Sequence, residues 1–261
     1  MVTRILILGG SGMLGHKLWQ VLSRDFETHI TFRNARQHYE QFGIFDSNYT
    51  HGYISAENID DIIRLIGKVR PDVVINCIGI VKQQPTAREI RRIILVNSLF
   101  PHRLSEICLA TDARLIQIST DCVFSGKQGN YTEEDVADPV DAYGRTKLLG
   151  EVFDEGCLTI RTSMIGRELE NARGLLGWFF EQEGKTINGY TQAIFNGFTT
   201  LAFSQIMAKL IQEHLDLSGI WHVSSDPISK YDLLMLVKEI YKFNVQIEPY
   251  TDFVLDRSLN S

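Results

Sequence analysis

Apolar and polar positions along the chain form blocks with the spacing of strands and helices in turn. Four short segments are largely apolar, as strands buried on both faces should be, and they cover residues 5–8, 29–32, 72–76 and 115–119. Apolar positions at helical spacing predict helices over residues 13–22, 59–69 and 90–110. Strands that alternate with helices in this way predict a parallel sheet wrapped by helices.

The second part of the chain is less regular. It shows a strand signal over residues 158–162, a polar, glycine-punctuated region over 166–197, a helix over 201–214, a strand over 220–224 and a helix over 230–241. We therefore predict an α/β fold with a Rossmann-type doubly wound parallel sheet. Residues 1–165 are expected to form an NAD(P)-binding core, and residues 166–261 mainly a smaller substrate-binding lobe, with some segments returning to the core.

Composition narrows the class of protein. The 261 residues are 44% hydrophobic and 22% charged, which is ordinary for a globular protein. The net charge is -6, and the lysines and arginines are dispersed, so no nucleic-acid partner is expected. The four cysteines form no CxxC pair and no zinc-type cluster, which predicts a reduced cytoplasmic protein without a metal site. The apolar runs are short, so no membrane span is expected.

The segment GGSGMLG places Gly9, Gly12 and Gly15 directly after the first strand and at the start of the first helix. Glycines at this point let the backbone approach a pyrophosphate and present amide N–H groups at a positive helix end. No Gly-Lys-Ser/Thr follows, which excludes a Walker loop. A dinucleotide is therefore the predicted ligand.

The end of the second strand indicates which dinucleotide. An acidic residue there would bind the ribose of NAD, whereas arginine accommodates the additional phosphate of NADP. The sequence TFRNAR has Arg33 and Arg36 and no nearby acid. NADPH is favoured, and NAD stays the alternative.

Tyr143 and Lys147 in YGRTK are four residues apart, so on a helix both side chains share one face. A ketone that is reduced develops negative charge on its oxygen, and a phenol can donate the proton if a neighbouring ammonium favours the phenolate. Thr120, expected at the end of a strand in STDCVF, supplies a hydroxyl that would hold the carbonyl oxygen. We predict these three residues as the catalytic set.

Taken together, these motifs resemble those of the extended short-chain dehydrogenases/reductases, and within them most closely the dTDP-4-dehydrorhamnose reductase family. The similar segments are GGSGMLG, RPDVVINCIG, VNSLFPHRLS, STDCVFSG, YGRTK and RTSMIG. The resemblance implies NADPH-dependent reduction of a 4-keto group on a nucleotide-activated deoxysugar. It also implies a homodimer, since helices around residues 90–110 and 143–155 pair subunits in many relatives.

Site residues follow from the same resemblance. The cofactor-binding residues it implies are Gly9, Ser11, Gly12, Met13, Leu14, Gly15, Arg33, Arg36, Asn76, Cys77, Ile78, Gly79, Asn97, Tyr143 and Lys147. The substrate-binding residues it implies are Val81, Asp121, Cys122, Met164, Asn196, Phe198, Thr199 and Arg257.

Two features depart from the family pattern. Relatives usually continue beyond a segment such as the DRSLNS at residues 256–261, and loss of such a segment would weaken substrate binding. Relatives also usually carry an aromatic residue at the position of Cys122. The related GDP-fucose synthases place an epimerising cysteine there, together with a histidine that residues 163–173 lack. We therefore expect simple reduction, with Cys122 a small buried residue.

Two other functions stay open at this stage. One is a non-catalytic relative that keeps the fold and binds a partner, as does the regulatory subunit of methionine adenosyltransferase. The other is a nucleotide-sugar epimerase or dehydratase that retains its cofactor. Asp121 follows Thr120 as in dehydratases, but no glutamate comes after it, which makes dehydration improbable.

Overall fold

The computed structural model describes residues 2–81, 89–170 and 174–261. Its strands are β1 (Arg4–Leu8), β2 (Glu27–Thr31), β3 (Thr50–His51), β4 (Val73–Asn76), β5 (Arg114–Ile118), β6 (Cys157–Arg161), β7 (Met164–Ile165), β8 (Thr186–Tyr190), β9 (Ala193–Phe195), β10 (Phe198–Thr199), β11 (Gly219–His222), β12 (Ile228–Ser229), β13 (Gln246–Tyr250) and β14 (Leu255–Asp256). Its α-helices are α1 (Gly15–Leu22), α2 (Gln37–Glu40), α3 (Ile59–Val69), α4 (Ile90–Ile93), α5 (Phe100–Ala110), α6 (Ala142–Leu148), α7 (Leu175–Phe180), α8 (Thr200–Glu213) and α9 (Lys230–Tyr241).

A seven-stranded parallel sheet with the order β11-β6-β5-β4-β1-β2-β3 forms the centre of the molecule. Successive residues of each strand point to opposite faces. In β1, Ile5 and Ile7 join the core beneath α1 and α8, whereas Leu6 and Leu8 join the core beneath α3 and α5. Both faces are covered by helices, which confirms the predicted α/β class and the doubly wound sheet.

The C-terminal part of the chain contributes both to the central sheet with its helices and to a separate group of elements. β11 pairs with β6 in the central sheet, and α8 packs on α1, so both belong to the core layer. α7 and α9 pack with β8 and β13 around a separate apolar core, and we call this part, with the segment that follows β7, the smaller lobe. Phe179 at 0% exposure lies at the centre of that core.

The structure corrects several sequence-based boundaries. The region 166–197, predicted only as polar and glycine-punctuated, contains α7, β8 and β9. The strand expected to reach Thr120 ends at Ile118, and the strand expected to reach Ser224 ends at His222. Strands β3, β7, β10, β12 and β14 have two residues each, which is too short for the alternation of side chains to give a signal.

A long helix runs over Ile90–Ala110, with a π-helical turn at Ile94–Leu99 between α4 and α5. By length and composition alone it is long and apolar enough to cross a membrane, although half of its most apolar window is buried in the protein. Core helices of globular proteins commonly pass the same test, so this is weak evidence for a span.

Two histidines pair at the edge of the sheet. Nδ1 of His29 in β2 lies 3.0 Å from Nε2 of His51 in β3. Burial, the charge of His29 and the charge of Lys68 lower the pKa of His51 to about 4. Burial also lowers the pKa of His29, although Glu27 opposes this shift and Arg4 and Lys68 add to it. The folded protein therefore favours the neutral form of both rings.

We expect this pair to make the protein acid-sensitive. Because both pKa values lie below the ordinary value, the contribution to stability is complete above pH about 6.5 and is lost as the pH falls towards about 4. In His51→Gln the free energy of unfolding should fall less steeply over this range, by up to about one proton equivalent. Urea unfolding at several pH values measures the slope. The exposed His214→Gln is the control, and equal slopes in His51→Gln and wild type would contradict the expectation.

Candidate active site

The glycine loop joins β1 to α1 through a close backbone contact. Gly9 has φ +88°, a conformation that side chains other than glycine rarely adopt. A Cβ at Gly15 would lie 2.3 Å from the Gly9 carbonyl oxygen, so α1 can begin this close to the strand only without one. The Gly9 amide donates to Thr31 Oγ1 at 3.1 Å. This cradle fits a pyrophosphate, because the loop has no side chain at the points of closest approach.

A cleft of about 260 Å³ opens above this loop, and we call it the glycine-loop cleft. It is lined by Gly9, Ser11, Gly12, Met13, Thr31, Arg33, Asn34, Tyr39, Ile54, Ser55, Ala56, Glu57, Cys77, Ile78, Gly79, Ile80, Val81, Arg92, Val96, Glu168 and Glu170. Eight predicted cofactor-binding residues are therefore brought together: Gly9, Ser11, Gly12, Met13, Arg33, Cys77, Ile78 and Gly79. Val81, predicted for the substrate, also lies in this cleft.

Other predicted cofactor-binding residues support the cleft without lining it. Leu14 is buried at the start of α1 beside Gly15. Asn76 donates from Nδ2 to Gln117 Oε1 at 2.7 Å and accepts from the Ile78 amide at 3.0 Å. Asn97 accepts from the Ile80 amide at 2.8 Å and donates to the Ile80 carbonyl at 3.0 Å. These two amides hold the loop after β4 in place.

Arg36 differs from Arg33. Both are exposed, but Arg36 donates to the Ser47 carbonyl oxygen at 3.2 Å and does not line the cleft. Only Arg33 is placed to meet a group bound there. The sequence TFRNAR does not distinguish the two arginines. Their different surroundings result from the turn that leads into α2.

Several cleft residues carried no sequence signal. Glu168 and Glu170 follow β7, far along the chain from the glycine loop, yet they line the same cleft. The Glu170 carboxylate lies 2.5 Å from His38 Nε2 in α2, which links the smaller lobe to the core at the edge of the cleft. Such a long-range pair cannot be read from spacing. Glu57 and Arg92, which form an ion pair, also line the cleft.

Thr120 lies at the carboxyl end of β5, where the chain leaves the sheet in a 3-10 turn. It is 6% exposed, and its Oγ1 accepts from the Cys122 amide at 3.1 Å and donates to Asp121 Oδ1 at 3.0 Å. Gly144 of α6 lies against the Cys122 carbonyl, and Thr120 lowers the pKa of the Tyr143 phenol, so this turn and the start of α6 are in contact. The predicted Thr and Tyr are therefore neighbours in space.

Tyr143 and Lys147 lie one turn apart on α6, which Asp141 caps by accepting from the Gly144 amide at 2.8 Å. Burial raises the pKa of the Tyr143 phenol above its usual range, and the charges of Cys122, Asp121 and Asp141 add to this, whereas Thr120 lowers it. The sequence argument expected a pKa lowered by Lys147. Lys147 is not among the groups that shift this pKa, and burial holds the phenol protonated.

Lys147 is 6% exposed and donates from Nζ to the Ile118 carbonyl oxygen at 2.6 Å. Burial lowers the pKa of its ammonium to about 8, while Glu151 and Cys77 raise it. The amine therefore titrates near neutral pH, as suits a group that takes part in proton transfer.

Cys122 differs from its prediction. It is partly exposed, not buried, and its sulfur accepts from Arg257 Nη1 at 3.2 Å. Arg257 is 8% exposed, and its Nε has no hydrogen-bond partner. Its contact with Cys122 places it beside Thr120, from the opposite end of the chain, which sequence spacing could not show.

The remaining predicted substrate residues have different structural roles: packing, capping of a helix, and bonding to the C-terminal segment. Met164 and Phe198 pair across β7 and β10 and pack against the core. Thr199 caps α8 by accepting from the Ala202 amide at 3.1 Å. Asn196 is buried, donates to the Leu259 carbonyl at 2.7 Å and accepts from the Leu259 amide at 3.2 Å. Both ends of its amide are therefore occupied.

Asn196 and Phe198 also border a second, polar groove of about 900 Å³. Its lining residues are Asn130, Ile194, Asn196, Phe198, Ser224, Ser225, Asp226, Pro227, Ile228, Ser229, Asp256, Ser258, Leu259, Asn260 and Ser261. Across residues 2–81, 89–170 and 174–261, no group of three or more His, Cys, Asp or Glu is placed to hold a metal ion.

Comparison with known proteins gives one family match. Residues 3–252 match the family described as RmlD substrate binding domain. The chain is 34% identical over 150 residues to methionine adenosyltransferase 2 subunit beta of Rattus norvegicus, covering 57% of this chain and 41% of that protein. The chain thus spans about two fifths of the length of the first curated relatives that it matches.

Two further proteins match nearly the whole chain. dTDP-4-dehydrorhamnose reductase of Aggregatibacter actinomycetemcomitans is 26% identical over 253 residues, with 90% of this chain and 78% of that protein covered. The crystal structure of dTDP-4-dehydrorhamnose reductase from Bacillus anthracis in complex with NADP has a TM-score of 0.76 at 21% identity, covering 97% of this chain and 85% of that one.

The two arginines of TFRNAR offer a matched pair of variants. We expect Arg33→Ala to weaken NADPH binding about tenfold to a hundredfold, because a charge-assisted hydrogen bond to phosphate is lost, and to change NADH binding little. Arg36→Ala should bind NADPH as the wild type does. Fluorescence titration with both nucleotides measures this. Equal losses in both variants, or an equal loss of NADH binding in Arg33→Ala, would refute this assignment.

Asn196→Ala tests the bond to the C-terminal segment. It leaves the buried Leu259 amide without its partner, whereas the Leu259 carbonyl still accepts from Ser224 Oγ at 2.9 Å, so we expect the free energy of unfolding to fall by about 2 kcal/mol. The exposed Asn188→Ala is the control and should stay within about 0.5 kcal/mol of wild type. Chemical unfolding measures both. A wild-type stability for Asn196→Ala would show that the amide is dispensable.

Proposed function

The chain belongs to the RmlD substrate binding domain family, and on that basis we propose that it is an NADPH-dependent reductase of a 4-keto group on a nucleotide-activated deoxysugar. Membership confirms the resemblance to extended short-chain reductases that the motifs indicated. The dTDP-4-dehydrorhamnose reductase of Aggregatibacter supports the reaction, and the NADP complex of the Bacillus anthracis enzyme supports the cofactor.

The observation that carries the proposal is the close packing of α6 on the turn that holds Thr120, which brings Tyr143 beside Thr120, with Lys147 one helical turn away. Lys147 and Cys77 act on each other's pKa, and Cys77 lines the glycine-loop cleft. A proton donor, a hydroxyl that can bind the carbonyl oxygen and a buried cation thus lie next to the site that fits a dinucleotide. Carbonyl reduction requires this set.

The roles follow from the chemistry of each group. Thr120 would hold the substrate carbonyl oxygen by its hydroxyl, and Tyr143 would donate its proton as negative charge develops there. A raised pKa keeps the phenol protonated, as reduction at neutral pH requires. Lys147 supplies positive charge that stabilises the phenolate left behind. When bound, the reduced nicotinamide supplies the hydride.

Residues of the glycine-loop cleft would hold the cofactor. Gly9, Ser11 and Gly12 would meet the pyrophosphate, and Arg33 the additional phosphate of NADPH. The predicted alternative, NAD, would make no use of Arg33. On the substrate side, Arg257 is a buried cation next to Cys122, where it would face an anionic part of a nucleotide sugar.

Cys122 also bears on epimerisation. Cys122 contacts Arg257, but the second acid/base histidine that epimerisation would need is absent from residues 163–173 of the sequence. Reduction without epimerisation is therefore the proposed reaction. The expected homodimer and cytoplasmic location stay predictions.

A second candidate function has its own observation. The first curated relatives are beta subunits of methionine adenosyltransferase 2, at 34% identity over 150 residues. A regulatory subunit would bind NADPH in the same cleft and contact a partner without turnover. Co-sedimentation with a methionine adenosyltransferase catalytic subunit, in the presence and absence of NADPH, would detect this.

Turnover tests the reductase proposal directly. Loss of nicotinamide absorbance is followed while the protein meets a panel of 4-keto sugars linked to dTDP, UDP or GDP. We expect one member to be reduced, and Tyr143→Phe to lower kcat by about 100- to 10,000-fold because the proton donor is lost. NADPH affinity should be little changed.

Tyr250→Phe is a matched control, because this tyrosine lies on β13 in the smaller lobe and is 37% exposed. It should turn over substrate as the wild type does. Tight NADPH binding with no turnover of any 4-keto sugar, together with co-sedimentation, would favour the regulatory function instead.

A further inference from the structure

A buried ionic network lies directly behind the proposed catalytic residues. The Glu151 carboxylate accepts from Arg161 Nε at 2.9 Å and from Arg161 Nη2 at 2.8 Å, and it accepts from Ser119 Oγ at 2.7 Å. Glu151 and Arg161 are each 4% exposed. Such a pair costs desolvation that apolar residues would avoid, so stability alone is a poor explanation for it.

The network meets the catalytic residues at two adjacent positions of the chain. Lys147 donates to the carbonyl of Ile118, and Glu151 accepts from the side chain of Ser119. Thr120 comes next. Glu151 itself stands four residues after Lys147, where the chain turns at Gly150 against the Asn97 carbonyl, which a Cβ at Gly150 would meet. One carboxylate is thereby tied both to the end of β5 and to the end of α6.

We propose that Glu151 is a positioning residue that keeps Lys147 protonated and fixes Ser119 and Thr120 relative to α6. The inference rests on the proposed function, because it assigns a role toward the groups that carry the reduction. Glu151 itself lines neither the glycine-loop cleft nor the second groove.

The electrostatic surroundings support this role. Burial acts against the charged form of Lys147, and Glu151 is the charged group with the largest opposing effect on its pKa. Cys77 follows β4 directly, and burial raises the pKa of its thiol to about 12 while Lys147 lowers it, so the thiol stays neutral. Among the residues that the structure describes, the other group that raises the pKa of Lys147 is Cys77, so loss of Glu151 removes the main opposing charge.

The far side of the network is also defined. Nη1 of Arg161 lies 3.5 Å from Nε2 of His222, and Glu133 lies beyond, with Oε2 3.9 Å from His222 Nδ1. Burial lowers the pKa of His222, and the Arg161 charge adds to this, while Glu133 opposes it. A neutral His222 with its proton on Nδ1, next to the Tyr131 carbonyl, can accept from Arg161 through Nε2, and Glu151 is the carboxylate that pairs with the guanidinium.

The test is the titration of Lys147 in the folded protein. Lysine labelled with ¹³C at the ε position is followed by NMR from pH 6 to 11, and the Lys147 signal is assigned with Lys147→Arg. We expect the midpoint to fall by about one pH unit in Glu151→Gln, because a buried charge is removed, and to stay near wild type in Glu151→Asp. Ser119→Ala, which keeps both charges, should also titrate as wild type.

Glu151→Gln leaves an unpaired buried guanidinium and could unfold the protein. Glu151→Gln/Arg161→Gln removes both charges, and the midpoint should again lie below wild type because Glu151 has the larger effect. An unchanged midpoint in a folded Glu151→Gln or double variant would overturn the proposal.

Activity supplies a second readout once a substrate is found. In Glu151→Gln the alkaline limb of the kcat profile should move to lower pH by the same amount, with KM less affected, and Glu151→Asp should restore it. A uniform loss of kcat at every pH would indicate a merely structural role. The NMR result needs no substrate, so failure of the reductase proposal and failure of this inference are distinguished.

Discussion

The parallel register of β1, β4 and β5 is the constraint on which the site depends. Leu8 pairs with Asn76, and Asn76 pairs with Gln117, so the three strands end at the same level. The glycine loop, the loop after β4 and the Thr120 turn therefore leave the sheet side by side. This alignment places the glycine loop, the loop after β4 and Thr120 together, and Tyr143 and Lys147 reach the same place from α6.

How much the sequence could predict follows from the same constraint. Buried strands give continuous apolar runs and glycines give a fixed spacing, so six of the seven strands of the central sheet, the glycine loop and the helix with Tyr143 and Lys147 were predictable, whereas the two-residue β3 was not. Contacts between distant segments were not. Glu170 meets His38, and Arg257 meets Cys122, across 132 and 135 residues. No periodicity along the chain encodes such pairs.

Burial and hydrogen bonding also distinguish residues that the motifs did not distinguish. Asn76, Asn97 and Asn196 stand in motifs that suggested contact with ligands, yet each amide is occupied by the protein itself. A buried backbone group without a partner is costly, and a side-chain amide can serve a donor and an acceptor at once. Residues of this kind shape a site from behind, which a sequence motif does not distinguish from contact with a ligand.

The glycine-loop cleft and the region around Lys147 differ in the charge that they present, and the difference has a physical reason. The glycine-loop cleft meets its ligand largely with backbone, whose N–H groups carry no net charge and so need no counter-charge inside the protein. The reacting end needs a formal positive charge, and Lys147 at 6% exposure loses most of its hydration. A charge held there requires compensation from within the fold. The Ile118 carbonyl and the nearby Glu151 carboxylate provide it, so the buried network is a consequence of placing an ammonium where the chemistry requires one.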